Sequence, residues 1–459
     1  MSSVGSISAL GRRYLNGELK QKPLSGDICL SSQKDVPRLE AFSDIDRKRH
    51  QKMGLDVLRA GRVAFAVLAA GASSRMSLND LPPTVVEMLK RSGKTDLPLS
   101  KALVPVAERA GRVYNFLDLF LLNCRRYLEQ SAARAKTVIF VSEMNAAEIR
   151  RHMIGCDRQG LRPEDVWDFV QPIEPQMVAT VEDVIKAESN FQADAFTAAR
   201  SFSDRYAGCE LPQRKPAGHG EFLHQLVASG TLARLLDEGV DYISVRNIDN
   251  TVALLDNCWG EALGWMISQD AGILLEVSER PAGQQGGALI RADGGWRIAE
   301  DPSFRGTVWH AKDSFYMNNA VAIIALTYLL RIYQTTSEEV IGGDSDLWYQ
   351  IADRGRHQFP TLVDAKPVVL EDGQVVGAVI PETNMWESTG VAEGQVVTAL
   401  AVDSDRNAGD LLPLDPDEQR RRAERVRFSP TKNWSDYNDD RKQLIASYVA
   451  SRIVDGMLV

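Results

Sequence analysis

The sequence predicts an α/β fold: a mixed, mostly parallel sheet flanked by helices, with an N-terminal helical arm and a small C-terminal α/β cap. Two observations carry this. Apolar runs of strand length recur along the chain (VAFAVLAA, TVIFVS, DYISVRNID, AGILLEVSE) and alternate with helix-like stretches, the pattern that lays strands parallel through helical crossovers. The 459 residues are also 44% apolar and 25% charged, an ordinary globular composition on a chain too long for one simple core. Three parts are expected: residues 1–60 as arm and helix, 61–386 as the central domain, and 387–459 as a small terminal region.

Taken in order, the first forty residues have weak periodicity and read as extended or partly helical. DIDRKRHQKMGLDVLRA at 44–60 suits a surface helix ending at Gly61. A buried strand follows at 63–70, then a loop with a short helix between 77 and 100. VYNFLDLFLLNCRRYLEQSAARA has the apolar face of a core helix, and MNAAEIRRHMI is a second helix between the strands TVIFVS and DFVQPI. NNAVAIIALTYLLRIYQ is too apolar for a surface helix, so it belongs inside. After residue 387 the pattern loosens, through the charged run DPDEQRRRAERVR, to a last helix in DDRKQLIASYVASRIVDGM. Internal repeats and low-complexity tracts are absent.

A net charge of −9 argues against a nucleic-acid coat or a membrane-surface role. Five scattered cysteines, none in a C-x-x-C pair, indicate neither a zinc site nor a disulfide framework. No apolar run reaches the ~18 residues of a membrane span, and the N-terminus lacks a signal pattern. A reducing, cytoplasmic location is expected, with neither a nucleic-acid nor a membrane partner.

Four short stretches carry chemistry. In AAGASSR the chain leaves a strand through small residues: Ala70, Gly71, Ala72, Ser73 and Ser74 would let main-chain N–H groups approach an anion, Gly71 supplying angles closed to other residues. Arg75 adds a bidentate donor suited to phosphate. Neither the Walker nor the dinucleotide fingerprint is present, and taken alone a small-residue turn after a strand is more often plain turn chemistry. Lys101, between apolar residues in PLSKALVPV, could be a solvated surface lysine, but a lysine at a core edge usually has an anionic partner. In PAGHGEF, Gly218 and Gly220 bracket His219 ahead of a helix start, where N–H groups favour anions; a histidine bonding its own loop is the simpler alternative. In VRNIDNT, Asp249 and Asn250 stand past a strand end, where a carboxylate suits Mg²⁺ and an Asx-turn or helix cap would suit the same residues.

Together and in order, these pieces resemble the UDP-sugar pyrophosphorylases. LAAGASSRM, SKALVPV, FVQPIEP, PAGHGEF, VRNIDN, YMNNAV, PETNMW and RVRFSPTKNWSD stand where that family has its glycine-rich signature, its PK, its glutamine strand, GHG, DN, an N-x-N-like segment, an LE ahead of an aliphatic helix, and its RF-x-PVK. The resemblance runs from about residue 44 to about 440. It implies a Rossmann-like, GT-A-like nucleotidyltransferase core over 61–386, and a reaction in which a sugar 1-phosphate attacks the α-phosphate of an NTP, UTP first among them, releasing pyrophosphate. By resemblance, residues 70–74 and Arg75 hold the triphosphate, and Lys101 and Lys432 neutralise charge around the reacting phosphates. Asp249 holds Mg²⁺. Gln171, Gly218, His219 and Gly220 face the base and ribose, while Asn250, Glu300, Asn319 and Lys366 line the sugar-phosphate side.

The chain departs from that family in five respects. The second glycine of the signature is shifted, and the interval from Arg75 to Lys101 is long enough for a lid or extra helix. FVSEMNAAEI replaces a Met-Thr-Ser segment, and SPTK replaces PVK. The family's long C-terminal β-helix has no counterpart. These changes leave open another NTP such as CTP or GTP with an unusual cyclitol or amino-sugar phosphate. A non-catalytic nucleotide-binding regulator is a further alternative, although a pure binder could discard the lysines. A dinucleotide-dependent oxidoreductase is disfavoured by the missing fingerprint.

Overall fold

The computed structural model describes residues 5–19, 24, 26–71, 81–91, 100–281, 284, 286–293, 295–304, 307–359, 361–363, 365–391, 396–405 and 415–455. At its centre is a ten-stranded mixed sheet. Its strands are Ile28–Leu30 (β1), Val63–Leu68 (β2), Lys136–Ser142 (β3), Val166–Gln171 (β4), Tyr242–Asn247 (β5), Ile273–Glu279 (β6), Ala288–Ala292 (β7), Gly295–Ala299 (β8), Tyr316–Ala325 (β9) and Val397–Ala401 (β10). The main path runs β1-β7-β9-β5-β2-β3-β4, with β8 beside β7 and with β6 between β9 and β10. The four strands β5-β2-β3-β4 are mutually parallel, so their carboxyl ends share one edge. β9 runs antiparallel to β5 and to β6. Strands on both sides of 61–386 thus enter one sheet: β1 at one edge and β10 beyond β6.

Every residue of β2 is buried, as its continuous apolar run requires of a strand covered on both faces. One cover is the helix Asn257–Ser268, whose Trp259 meets Phe65 of β2 edge-on at 5.3 Å. The helix Asp44–Arg59 lies against that helix; its N-cap Ser43 accepts from the Asp46 N–H at 3.1 Å and its first turn carries Asp44 and Asp46. It crosses the helix Asn257–Ser268 so closely that a Cβ on Gly54 would strike the Gly260 carbonyl. The helix Phe116–Ser131 covers the sheet too, started by a capping box between Asn115 and Asp118.

The apolar run at 318–334 divides. Its first half is the end of β9, and the helix Leu326–Ile332 takes the rest. Both parts are buried, and periodicity cannot separate a fully buried strand from a buried helix. Opposite β6, Glu276 pairs with Val321 and Val277 with Asn318, leaving Asn319 and Ala320 as a bulge, with Ala320 at φ 56°. The charged run after 415 is also ordered: Asp415 caps a helix Pro416–Arg425 with Pro416 in its first turn and Glu418 paired to Arg422 at 2.9 Å.

A second, antiparallel sheet lies beside the first, ordered Lys366–Val369, Val375–Val379, Ile173–Val178, Glu210–Pro216. It delivers two loops towards the main sheet, 217–220 after its last strand and 380–384 after Val375–Val379. Among the described residues, no helix is long and apolar enough to cross a membrane.

Candidate functional site

The carboxyl ends of β2, β3, β4 and β5 form one rim, the place where parallel sheets collect ligands. Asn145, just past β3, ties the rim together by donating from Nδ2 to the Ala69 carbonyl at 2.8 Å and to Ser100 Oγ at 3.2 Å. Gln171 ends β4, donates to the Ala70 carbonyl at 3.5 Å, and leaves a buried Oε1 with no partner among the described residues. An amide with one end fastened and the other unsatisfied is poised for a ligand, since orphaned buried acceptors are costly.

Ala70 is buried, and Gly71 is exposed with open space around it. Gly71 does not use the left-handed angles expected of it, for its φ is not among the positive ones. Its value there is the absence of a side chain over an open approach. Ala72, Ser73, Ser74 and Arg75 lie outside the described residues.

Past β5, Asp249 meets Lys101. Ser100 Oγ caps the single turn Lys101–Leu103, which presents Lys101 Nζ to Asp249 Oδ2 at 2.8 Å, with side-chain exposures of 13% and 14%. This is the anionic partner that the lysine's setting implied. Burial pushes the Asp249 carboxyl up, but the charges of Lys101 and Lys432 and the bond from Lys101 hold it below the usual range. Its second oxygen, Oδ1, is buried with no hydrogen-bond partner among the described residues.

Lys432 reaches this place because the chain on either side is fastened there. The Thr431 N–H donates to the Asp249 carbonyl at 3.1 Å. Asn250 donates from Nδ2 to the Arg427 carbonyl at 3.2 Å and accepts from the Ser429 N–H at 3.1 Å. Asn250 therefore clamps the C-terminal strand and does not line a sugar side as expected, because both ends of its amide are spent on backbone. The charge of Lys432 acts on Asp249, His219 and Glu300 alike, which puts it among them. Beside it a cleft of about 750 Å³, open to solvent, is lined by Ser278, Gln284, Asp405, Asp436 and Lys442.

The 218–220 loop owes both glycines to geometry. Gly218 has φ +102°, and a Cβ on Gly220 would run into the Thr383 carbonyl, which accepts the Gly220 N–H at 2.9 Å. His219 accepts the Met385 N–H on Nδ1 at 3.4 Å. Burial pushes its pKa down to about 4 against the pull of Glu382, so the ring is neutral and its proton sits on Nε2. Glu382 pairs with Lys215 at 3.2 Å and Lys366 at 3.5 Å. Lys366 is thus committed to a carboxylate beside His219, on the outer strand of the second sheet.

Glu300 accepts from Asn384 Nδ2 at 2.8 Å, and burial together with the neighbouring Glu387 pushes its pKa up to about 7. Asn319 sits in the β9 bulge, accepts from Ser278 Oγ at 2.7 Å, and keeps a buried Nδ2 without a partner among the described residues. Bulges beside sites re-aim side chains in this way.

Sequence reasoning missed Asn145, Thr383 and Glu387. Asn145 had a signal, a polar residue three past Ser142 at a strand end, and the Ser142 N–H indeed donates to Asn145 Oδ1 at 2.9 Å. Thr383 and Glu387 act through backbone approach and long-range charge, which sequence spacing does not carry.

A family model described as UTP–glucose-1-phosphate uridylyltransferase matches residues 201–325, the stretch that holds the GHG loop, Asp249, Glu300 and Asn319. Over that stretch the chain is similar to the UTP–glucose-1-phosphate uridylyltransferases. Among curated proteins it is 35% identical over 86 residues to the UTP–glucose-1-phosphate uridylyltransferase of Encephalitozoon cuniculi, a match covering 18% of this chain and 17% of that protein. A probable UTP–glucose-1-phosphate uridylyltransferase of Schizosaccharomyces pombe is 36% identical over 86 residues, again covering 18% of this chain and 16% of that protein. These matches thus span about a sixth of each relative. The fold likeness is much longer. A structure of a UDP-N-acetylglucosamine pyrophosphorylase from Trypanosoma brucei covers 95% of this chain and 74% of its own, with TM-score 0.60 and 16% identity. A corresponding protein from Entamoeba histolytica covers 91% and 86%, with TM-score 0.58 and 14% identity. At those identities the likeness shows a shared α/β fold and nothing more.

Proposed function

We propose that the protein is an NTP:sugar-1-phosphate nucleotidyltransferase, with UTP the first candidate, forming an NDP-sugar and pyrophosphate. The observation that carries this reading is the group Lys101, Asp249 and Lys432 at the rim of the parallel strands, with Asp249 Oδ1 left unpartnered. In the reaction a phosphate oxygen of the sugar 1-phosphate forms a bond to the α-phosphorus, and the bond from that phosphorus to the bridging oxygen of pyrophosphate breaks. No covalent enzyme intermediate is needed, so the protein's task is positioning and charge neutralisation. Lys432 and Lys101 stand to offset charge on the attacking and leaving groups. Gln171 Oε1 can accept from a base edge, and the neutral His219 can donate from Nε2. Asn319 Nδ2 and the Glu300 carboxyl offer a donor and an acceptor to sugar hydroxyls.

The residues present fit Mg²⁺: an ionised carboxylate with one oxygen on a lysine and the other free is the single-carboxylate ligation Mg²⁺ accepts when phosphates and water complete its shell. Asp249 would hold it, and a bound ion would neutralise phosphate oxygens.

The test is pyrophosphate release with and without Mg²⁺ across UTP, CTP, GTP, ATP and dTTP, each against a panel of sugar and cyclitol 1-phosphates, with Asp249→Asn as the blank. Mg²⁺-dependent release with one NTP and one acceptor, lost in the blank, is expected. Silence across the panel while nucleotide still binds would overturn the enzyme reading in favour of a regulator.

A further inference from the structure

Away from the strand-end rim, one group of three side chains among the described residues brings metal-ligating atoms together. Asp118, His152 and Cys156 each offer one donor atom, and the three atoms lie within 4.8 Å of one another. Asp118 stands in the first turn of the helix Phe116–Ser131, while His152 and Cys156 stand one turn apart at the end of the helix Ala146–Gly155. The i, i+4 spacing sets the imidazole and the thiol on one helix face. We propose that these residues form a binding site for a borderline-soft divalent cation of the Zn²⁺ type, with oxygen, nitrogen and sulfur donors and water in the fourth position. The inference is independent of the proposed nucleotidyl transfer.

The donor set suits such an ion. Tetrahedral Zn²⁺ with Zn–S of about 2.3 Å and Zn–N and Zn–O of about 2.0–2.2 Å separates its donors by roughly 3.3–3.8 Å. His152 Nε2 and Asp118 Oδ1 are now 2.9 Å apart, so small side-chain movements suffice. A hard ion such as Mg²⁺ would not use a thiol, whereas Zn²⁺ and Co²⁺ accept all three donors.

The surroundings orient the ligands. Asp118 Oδ2 accepts the Asn115 N–H at 3.2 Å, which turns Oδ1 towards His152. Gln159 donates from Nε2 to the same Oδ1 at 2.5 Å, and its Oε1 accepts from Arg112 Nη2 at 3.0 Å. Such outer contacts fix ligands in metal sites. Gln159 reaches Asp118 only because the chain after Cys156 turns back through four left-handed residues: Asp157 (φ 47°), Arg158 (φ 48°), Gln159 (φ 54°) and Gly160 (φ 83°). Three of these are non-glycine residues in an unfavourable region, a conformation that persists where the surroundings over-determine it.

The metal-stripped full chain is titrated with Co²⁺, whose bond to a thiolate gives a charge-transfer absorption band. One equivalent should saturate the band, and Zn²⁺ should displace it. Cys156→Ser should lack it, and Gln159→Ala should keep it with affinity about 10–100-fold weaker. In wild-type protein, Zn²⁺ should also protect Cys156 from alkylation, read by mass spectrometry; this needs no variant to fold. A missing band, a band that survives in folded Cys156→Ser, or alkylation of Cys156 unchanged by Zn²⁺ would overturn the site and leave the cluster an ordinary imidazole–carboxylate pair.

Discussion

Replacing Lys101 by Met tests the electrostatic core of the site without presuming the reaction. The Lys101–Asp249 pair is 2.8 Å apart, with side chains only 13% and 14% exposed. Removing one member of a buried pair typically costs about 3–5 kcal/mol, because the remaining charge stays desolvated. Here Lys432 also favours the Asp249 carboxylate, so a loss at the lower end, about 3 kcal/mol, is expected. Asp249→Asn alone should also destabilise, by leaving Lys101 without that carboxylate. The double variant, with a neutral Met–Asn contact, should lose less than the sum by a coupling of about 1–3 kcal/mol. Shifts of the urea midpoint, followed by tryptophan fluorescence, give all three values.

The sign of the pH dependence follows from the same geometry. In the wild type the Asp249 carboxyl is held below its ordinary 3.8, so its contribution is present above that pH and lost as pH falls through the lower folded value. In Lys101→Met, burial dominates and the carboxyl rises, so the penalty should shrink as the pH is lowered towards 4. Additive single effects, or a Lys101→Met penalty that stays constant down to pH 4, would refute this account of the pair.

Lys432→Ala should lower kcat for pyrophosphate release by about a hundredfold while raising KM much less, the effect of losing one preorganised charge; an unchanged kcat would remove Lys432 from the reacting phosphates. Gly220→Ala should cost about 1–3 kcal/mol by overpacking against the Thr383 carbonyl, read as a lower urea midpoint with a raised KM for the NTP, and a wild-type midpoint would mean the loop yields freely. His224 is buried and pushed down to about 3, first by desolvation and then by Arg356. The unfolded chain takes up its proton near pH 6.5 and the folded chain does not, so stability should fall on acidification by about 1.4 kcal/mol per pH unit between 6.5 and about 3 from this group. His224→Gln, which can keep a bond to the Tyr333 hydroxyl now 2.8 Å from Nδ1, should flatten that slope, and an unaltered slope would assign it elsewhere.

Much of the sheet was legible because burial on both faces leaves a continuous apolar run, as in β2, β3 and β6. The helix Asp44–Arg59 was legible from its periodicity, and its Ser43 cap closes the start. The run at 318–334 showed its depth but not its division into strand and helix. The helix Pro416–Arg425 carried a capping Asp, a first-turn Pro and i, i+4 ion pairs, signals that lack of an apolar stripe hid. In the site, residues at strand ends were readable because topology alone brings them together: Gln171, Asp249 and, through its need of an anion, Lys101. What spacing could not give was how each polar group spends its bonds. Asn250 sits beside Asp249 in sequence yet is used up on the backbone of residues 427 and 429. Lys366 is drawn to Glu382, a partner sixteen residues away whose place depends on the second sheet.

That use of Asn250 explains how a lysine so late in the chain comes to act at the rim. Arg427 is largely buried and grips Asp256 with both contacts at 3.0 Å, while also donating to the Leu254 carbonyl at 2.8 Å. Asn250 holds the next turn of backbone, Thr431 bonds to Asp249, and Lys442 reaches the Pro430 carbonyl at 2.7 Å and Asp405 at 3.1 Å. Residues 427, 429, 430 and 431 are thus fixed to the loop that follows β5 or to the last helix, Asp440–Asp455, and the Phe428 carbonyl accepts the Asp405 N–H at 2.9 Å. The position of Lys432 relative to Asp249 is therefore set by folding, before any ligand arrives. A cation placed in advance needs little reorganisation when charge develops beside it, which is the condition under which one lysine has a large effect on a rate.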